Sequence, residues 1–399
     1  MKSFFFKTFL LIILLNSCAN KPQVFVIQSF EFKTGMINVS FQHVGLYEQD
    51  GTEYLYFVDK YKDIKIFDFD GKLFDNIPLK NLIYDFAVKK DKICGGVQFV
   101  GNDSVVIHSS YRNNIGLINR KGDILQIVCI DSILHDSIKN LNEYHFSHAP
   151  NAANWQNDFL FSVRTGDKQI RNKGLKPLTV EYYEDYYTTL YNTPYLLKIN
   201  KFFSDKPEYN FLANDLYKKI NSYPYVDNGL NPFKVINNNI FILSREKPLI
   251  FKYFGKNYEK IEKIKVISKY TDLDYMPVSP KEVFCDFTTN QNNYEKYNEN
   301  NKLRGQVFNI FFNEKEQKYY VFVWHKQKNM EEYNKNGKNY SIITYNRNFK
   351  KLKEYLINTD LYAFGKAVMT SKGLLIQRKE QNLTPDNYGT QIFDLLGFN

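Results

Sequence analysis

Val105-Val106-Ile107-His108, then Ile115-Gly116-Leu117-Ile118-Asn119, the turn Arg120-Lys121-Gly122-Asp123, and Ile124-Leu125-Gln126-Ile127-Val128 form the stretch on which the reading of this 399-residue chain rests. Each run is short, rich in β-branched residues and bounded by polar breaks, which is how strands are written. The Lys-Gly-Asp turn supplies a glycine where a hairpin needs positive φ. An earlier copy has Leu55-Tyr56-Phe57-Val58, Ile64-Lys65-Ile66-Phe67, the turn Asp68-Phe69-Asp70-Gly71, and Leu73 to Leu79. The same order recurs around Phe159 to Val163 with Tyr195 to Asn200, and around Ile240 to Ser244 with Leu249 to Phe254. It continues around Tyr319 to Trp324 with Tyr340 to Asn346, and around Gly373 to Gln377 with Thr390 to Leu395.

A further strand precedes several of these copies: Gly96 to Val100, Phe233 to Ile236, Val307 to Phe312 and Phe364 to Met369. Four antiparallel strands repeated six times predict an all-β, six-bladed β-propeller, in which radial repetition leaves only short edges. A pair of β-sandwiches is the rival, but sandwiches do not require this recurrent order. The last copy stops at its third strand, and Val24 to Phe30 is a strand with no unit of its own. Pairing the two closes the last blade with the N-terminal strand and removes the unpaired edge.

The chain begins with Lys2, Lys7, the apolar run Phe9 to Leu15, and Leu15-Asn16-Ser17-Cys18. A basic start, a short apolar core and small residues before a cysteine predict a lipoprotein signal peptide over residues 1–17. Cys18 is then the lipidated residue, 18–23 the tether, and 24–399 one propeller domain, expected to be monomeric. Acyl chains hold a protein at a membrane through about 0.8 kcal/mol per buried methylene. The expected location is therefore the cell envelope, through a lipid anchor and on the outer membrane, the periplasmic or surface side being open.

With its lipobox, its Ile-x-x-Phe-Asp-x-Asp-Gly-Lys type module at Ile64 to Lys72 and its shared last blade, the chain resembles the six-bladed propeller lipoproteins of Bacteroidota, many of them domains of unknown function. That resemblance implies a fold and a location, and it transfers no catalytic residue.

The formal charge of +10 falls by two once Lys2 and Lys7 leave with the signal. In an exported protein such a balance suits an acidic envelope ligand, or no ligand at all given the Lys- and Asn-rich composition that an AT-rich coding sequence produces, better than nucleic acid, which is not expected as a partner. Beyond Cys18 only Cys94, Cys129 and Cys285 occur, an odd number without C-x-x-C spacing. There is no G-x-S-x-G elbow, H-E-x-x-H pair or P-loop. His145 and His148 lack clustered partners, and Asp68-x-Asp70-Gly71 reads as a turn rather than a calcium loop. No metal or cofactor is expected, and no catalytic residue is assigned.

Long segments collect on one predicted face: Asp131 to Trp155, Thr165 to Pro194, Leu212 to Pro232, Tyr270 to Arg304, Lys326 to Asn339 and Lys379 to Tyr388. Long loops on a rigid scaffold carry recognition. At or just beyond the end of each second strand stand Asp59, Arg112, Arg164, Arg245, His325 and Arg378. The five cationic members are candidates for a ligand-binding rim, because guanidinium forks match carboxylate, sulfate or phosphate. The alternative is that each braces its own blade. Tyr182, Tyr183, Tyr186 and Tyr187 offer candidate aromatic contacts, or line one face of a short packed helix. The function expected is a non-enzymatic binding propeller for an envelope protein or an anionic glycan, the alternative being a hydrolase or lyase with a site in the central channel.

Overall fold

In the computed structural model the repeat becomes six antiparallel meanders arranged around an axis. The structure describes residues 23–35, 44–59, 63–79, 96–108, 114–129, 144–146, 153–155, 158–165, 196–200, 204, 208–213, 216, 233–244, 247–255, 257–273, 299, 302–336, 339–379 and 389–399. Blade 1 holds β2 (Val44–Gln49), β3 (Thr52–Val58), β4 (Asp63–Phe67) and β5 (Leu73–Pro78). Blade 2 holds β6 (Gly96–Val100), β7 (Ser104–His108), β8 (Asn114–Asn119) and β9 (Ile124–Cys129). In blade 3 the short β10 (Tyr144–Phe146) and β11 (Ala153–Trp155) both pair with β12 (Asp158–Thr165), followed by β13 (Leu196–Asn200) and β14 (Glu208–Leu212).

Blade 4 runs through β15 (Phe233–Ile236), β16 (Asn239–Leu243), β17 (Leu249–Phe254) and β18 (Lys260–Lys265). Blade 5 has β19 (Gln306–Asn313), β20 (Lys318–Trp324), β21 (Tyr340–Asn346) and β22 (Lys351–Ile357). Blade 6 is built from β23 (Tyr362–Thr370), β24 (Gly373–Arg378), β25 (Thr390–Phe398) and β1 (Val24–Lys33), in that order. The fold expected from the repeat is thus the fold observed, including closure by the N-terminal strand. Two segments expected as loops contain regular structure. Asp131 to Trp155 includes the split inner strand β10 and β11. Lys326 to Asn339 includes the helix α1 (Met330–Asn336).

That helix has a readable cause. The Asn329 side chain accepts the Glu332 N–H at 2.8 Å, and the Glu332 carboxylate accepts the Lys328 N–H at 3.0 Å. Asn329 is thus the N-cap, and the Glu332 carboxylate reaches back one residue beyond it, a variant of the capping box that satisfies one first-turn donor and ties down the entering chain.

Blades stack face to face, so their middle strands are buried on both sides and lose the usual alternation of apolar and polar residues. On β20, Tyr319, Val321 and Val323 pack with Phe241, Leu243 and Ile250 of blade 4. The intervening Tyr320 and Phe322 pack with Leu374, Ile376 and Leu396 of blade 6. Ile64 and Ile66 join Val105 and Ile107 between blades 1 and 2, while Phe57 and Phe67 meet Phe32 and Phe393 between blades 1 and 6. The core is a set of wedges between blades, and a full Phe side chain buried in one contributes up to about 3 kcal/mol.

The turns between third and fourth strands repeat one device. Asp68 accepts the N–H groups of Asp70 and Lys72 at 3.0 and 2.9 Å. Asn119 does the same for Lys121 and Asp123, and Asn346 for Asn348 and Lys350. In each, the residue before the last takes positive φ: Gly71 at 79°, Gly122 at 82° and Phe349 at 55°. At Gly122 a side chain would also run into the Pro78 carbonyl, so blade 2 nests against blade 1 there. Phe349 tolerates the strained geometry while its ring stacks on Tyr319 at 4.2 Å.

Closure occurs where β1 pairs with β25, from Val24 opposite Phe398 to Lys33 opposite Thr390. Asp394, fully buried, ties all four strands of blade 6 together. Its Oδ2 accepts from Arg378 Nε on β24 at 2.8 Å and from the Tyr362 hydroxyl on β23 at 2.9 Å. Its Oδ1 accepts from the Ser29 hydroxyl on β1 at 2.7 Å. Phe32 on β1 lies in the aromatic wedge with Phe57, Phe67 and Phe393. Removing a buried, multiply bonded carboxylate leaves its partners unpaired. Asp394→Ala should therefore cost about 3–5 kcal/mol in urea unfolding, and Ser29→Ala about 1 kcal/mol. An equal, small loss for both would mean that strand pairing alone closes the ring.

Candidate functional site

In a meander, the turns between strands one and two and between strands three and four share one face, and the longer connections share the other. Gln23 and Asn399 mark the place of the missing turn between β25 and β1. The Asn399 N–H donates to the Gln23 carbonyl at 3.3 Å, and the Gln23 N–H to Asn399 Oδ1 at 2.9 Å. The described chain therefore starts on the tight-turn face. Phe25, Val26 and Ile27, next along β1, are roughly half exposed.

On the long-loop face, two of the five cationic rim candidates have described side chains, and both are engaged within the fold. Arg378 holds Asp394 as above and donates from Nη2 to the Ser29 hydroxyl at 3.0 Å, which is a bracing arrangement. His325 is buried at 7% exposure, its ring stacked 6.0 Å from Tyr270. Its backbone N–H donates to the Asn339 carbonyl at 2.9 Å, and its own carbonyl accepts from Gln327 at 3.2 Å. Burial lowers its pKa below the ordinary value, against the pull of the Glu354 charge. Arg164 lies on β12 opposite His145, its side chain outside the described residues. Arg112, Arg245, Cys18, Tyr182, Tyr183, Tyr186 and Tyr187 lie outside them altogether.

Glu354, whose charge acts on His325, fastens the irregular segment after β18 to blade 5. Its carboxylate accepts from Ser268 at 2.6 Å, the Lys269 N–H at 2.8 Å, Ser341 at 2.8 Å and Lys351 at 2.8 Å. Burial by itself would raise the Glu354 pKa, but these donors outweigh it and hold the carboxyl below its usual value. On the tight-turn face Arg120 plays the matching part between blades 1 and 2. It donates to Asp75 at 2.6 Å, to the Asn102 carbonyl at 2.8 Å, to Gln49 at 3.2 Å and to the Tyr47 hydroxyl. Its guanidinium also lies 4.7 Å over the Tyr47 ring.

A cavity of about 600 Å³ is lined by Leu46, Tyr47 and Glu48 of β2, by Val97, Gln98 and Phe99 of β6, and by Lys234 and Val235 of β15, among others. Blades 1 and 4 stand opposite each other in a six-membered ring, so only the central channel can be lined by both. Gly101 and Asn102 of the β6–β7 turn belong to the lining, which places the cavity toward the tight-turn face. Lys234 is the unexpected member. Its ammonium lies 4.8 Å over the Phe311 ring, and desolvation lowers its pKa to about 8. No ion pair or hydrogen bond joins it to any described carboxylate. Among the described residues no group of three or more His, Cys, Asp and Glu side chains converges.

The geometry defines a six-bladed β-propeller closed by its N-terminal strand, with a cavity on its axis lined by described residues of blades 1, 2 and 4. No family model and no curated protein matches the sequence. Solved structures do share the fold. A Bacteroides vulgatus member of the duf4221 family is 15% identical with a TM-score of 0.65, over 95% of this chain and 99% of that one. A Bacteroides fragilis protein taken to be exported is 11% identical with a TM-score of 0.54, over 95% of each chain. At these identities the likeness carries the fold, which agrees with the resemblance drawn from the blade repeat.

The two buried titrating groups near Tyr270 give opposite acid and neutral signatures. A histidine whose folded pKa is depressed loses stability as pH falls from 6.5 toward its folded value, and loses no more below it. A depressed carboxyl contributes fully above 4.5 and loses that contribution as pH falls through its folded value. His325→Gln should thus flatten the fall in stability just below pH 6.5. Glu354→Gln should lower stability at neutral pH and flatten the fall below pH 4.5. Urea midpoints measured across pH check both.

Proposed function

We propose that this protein is a lipid-anchored, non-enzymatic binding propeller of the cell envelope, monomeric in its folded domain, with an outer-membrane anchor at Cys18 after removal of residues 1–17. The reading is carried by the ring closure. Because β1 is the outer strand of blade 6 and begins beside Asn399, the chain arrives at the tight-turn face. Residues 19–23 extend at most about 17 Å, so an acylated Cys18 holds that face at the membrane and turns the long-loop face away from it. Exposed Phe25, Val26 and Ile27 at the start of β1 are in keeping with a short approach to lipid. No helix among the described residues is long and apolar enough to cross a membrane.

Recognition then belongs to the long-loop face, where an envelope protein or an anionic glycan meets the longer connections. Arg112, Arg164 and Arg245 remain the cationic candidates for that contact, with Tyr182, Tyr183, Tyr186 and Tyr187 as aromatic ones. Arg378 and His325 support the scaffold beneath them. This division assigns a fixed, braced disc to structure and the variable loops to binding, as rigid scaffolds commonly do.

Orientation gives the direct test. Lys121 and Lys350 are exposed in tight turns, whereas Lys326 and Lys328 are exposed beyond β20 on the other face. On protein anchored to vesicles, an amine-reactive, membrane-impermeant reagent should label Lys121 and Lys350 less than on the unanchored Cys18→Ala variant. Labelling of Lys326 and Lys328 should not change. Fatty-acid incorporation should be lost in Cys18→Ala; incorporation that persists, or equal labelling of the two faces, would overturn the reading.

A further inference from the structure

We infer that the axial cavity is a binding site for a small polyhydroxylated carboxylate, the chemistry of a uronic acid, with Lys234 supplying the counter-charge. This site is separate from the long-loop face and does not depend on the anchor. A lysine on the innermost strand of a propeller has no structural need to be charged. Phe311 covers one side of its ammonium, yet no described carboxylate pairs with it, although Glu48 lines the same cavity. Lys234 is half-buried in the cavity wall, and an anion entering the cavity supplies the counter-charge that no described carboxylate gives its ammonium.

The remaining walls narrow the ligand class. Lys234 is one point charge, and neither a second cation nor an arginine fork is among the described lining residues. That suits a monoanionic carboxylate better than a phosphate dianion, which is usually met by several donors or a bidentate guanidinium. Gln98 adds an amide whose carbonyl oxygen is buried with no hydrogen-bond partner among the described residues. Asn102 and the exposed Glu48 supply further polar groups for hydroxyls. Half-buried Tyr56 and Phe99, their rings 5.1 Å apart, give the polar cavity an aromatic edge, with Tyr47 buried behind Phe99 at 4.4 Å. Such an edge beside polar groups is what a sugar ring needs, one face apolar and the rim hydrogen-bonding. The volume is that of a small ligand and not of a polymer threading the disc.

Protonation gives this site its own readout. Burial favours the neutral amine, whereas a bound carboxylate favours the ammonium, so ligand binding must draw the Lys234 pKa upward from about 8. Isothermal titration of the full-length chain with glucuronate, with glucose as the neutral analogue, tests the site. NMR of the lysine side chains then follows the titration of Lys234. Glucuronate should bind, Lys234→Met should weaken it roughly tenfold or more, and glucose should bind at least as poorly as glucuronate does to the variant. The Lys234 resonance should titrate at higher pH when glucuronate is present.

Lys234→Met keeps the stem on Phe311 and should raise the thermal midpoint at neutral pH, because it removes an unpaired cation; Lys234→Gln serves as a second variant if Met perturbs folding. Glucuronate binding that is absent at millimolar concentration, equal to that of glucose, or unchanged in both variants overturns the proposal. So does tighter Lys234-dependent binding of inorganic phosphate, or capture by phosphatidylglycerol vesicles in place of glucuronate, which would assign the cavity to a phosphate or to a lipid headgroup.

Discussion

The pairing of β1 with β25 holds a position in the ring that no other contact can fill. A propeller is a sheet array wound into a circle, and each blade is stabilised chiefly by the apolar wedges it forms with its two neighbours. If the circle opens, blades 6 and 1 each lose a face, and Phe32, Phe57 and Phe393 lose one another. The chain brings its two ends into one blade, so opening the ring also requires separating strands nearly the whole sequence apart. Asp394 adds direction to that pairing. Its three donors come from β24, β23 and β1, and a register slip by one residue would turn Asp394 to the other face of the sheet.

Polar braces at other seams follow the same logic. Arg120 joins blades 1 and 2, and Glu354 joins the segment after β18 to blade 5. Lys65 donates to the Thr34 carbonyl at 2.6 Å, and Glu53 accepts from Ser371 at 2.6 Å, both across the seam between blades 1 and 6. Most of these braces are buried or half-buried, whereas the bond between Glu53 and Ser371 is exposed. Wedges supply most of the stabilisation, and the braces fix which residue sits opposite which. The axis is the exception, because inner strands from opposite blades converge without packing tightly. That leaves the cavity at Lys234 and the opportunity for a ligand.

Much of this was legible in the residues. The middle strands show as uninterrupted apolar runs because both of their faces meet a neighbouring blade. The turn device shows in blades 1 and 2 as Asp or Asn with glycine three residues later, because the side chain caps two backbone N–H groups and the glycine takes positive φ, whereas Phe349 stands at that place in blade 5. Asp394 was visible as an acid within Phe393-Asp394-Leu395-Leu396, and the capping box of α1 as Asn329 and Glu332. An isolated polar residue in an apolar run has several readings until its partners are known. Position in a strand does not tell whether a rim side chain is braced. Arg378 is held by Asp394, and His325 is stacked under Tyr270.

The sequence by itself determined the repeat, the number of blades and the closure of the ring, because burial on both faces, turn chemistry and a leftover strand are local facts written in consecutive residues. Only the tertiary structure decided which charges are spent and which are free. Lys234 reads as an ordinary lysine in Phe233-Lys234-Val235-Ile236, and it becomes the unpaired charge of an axial cavity when β2, β6 and β15 approach from different sides of the ring. The reason is physical: a charge's role is set by what desolvates and what neutralises it, and both come from residues far away in the chain.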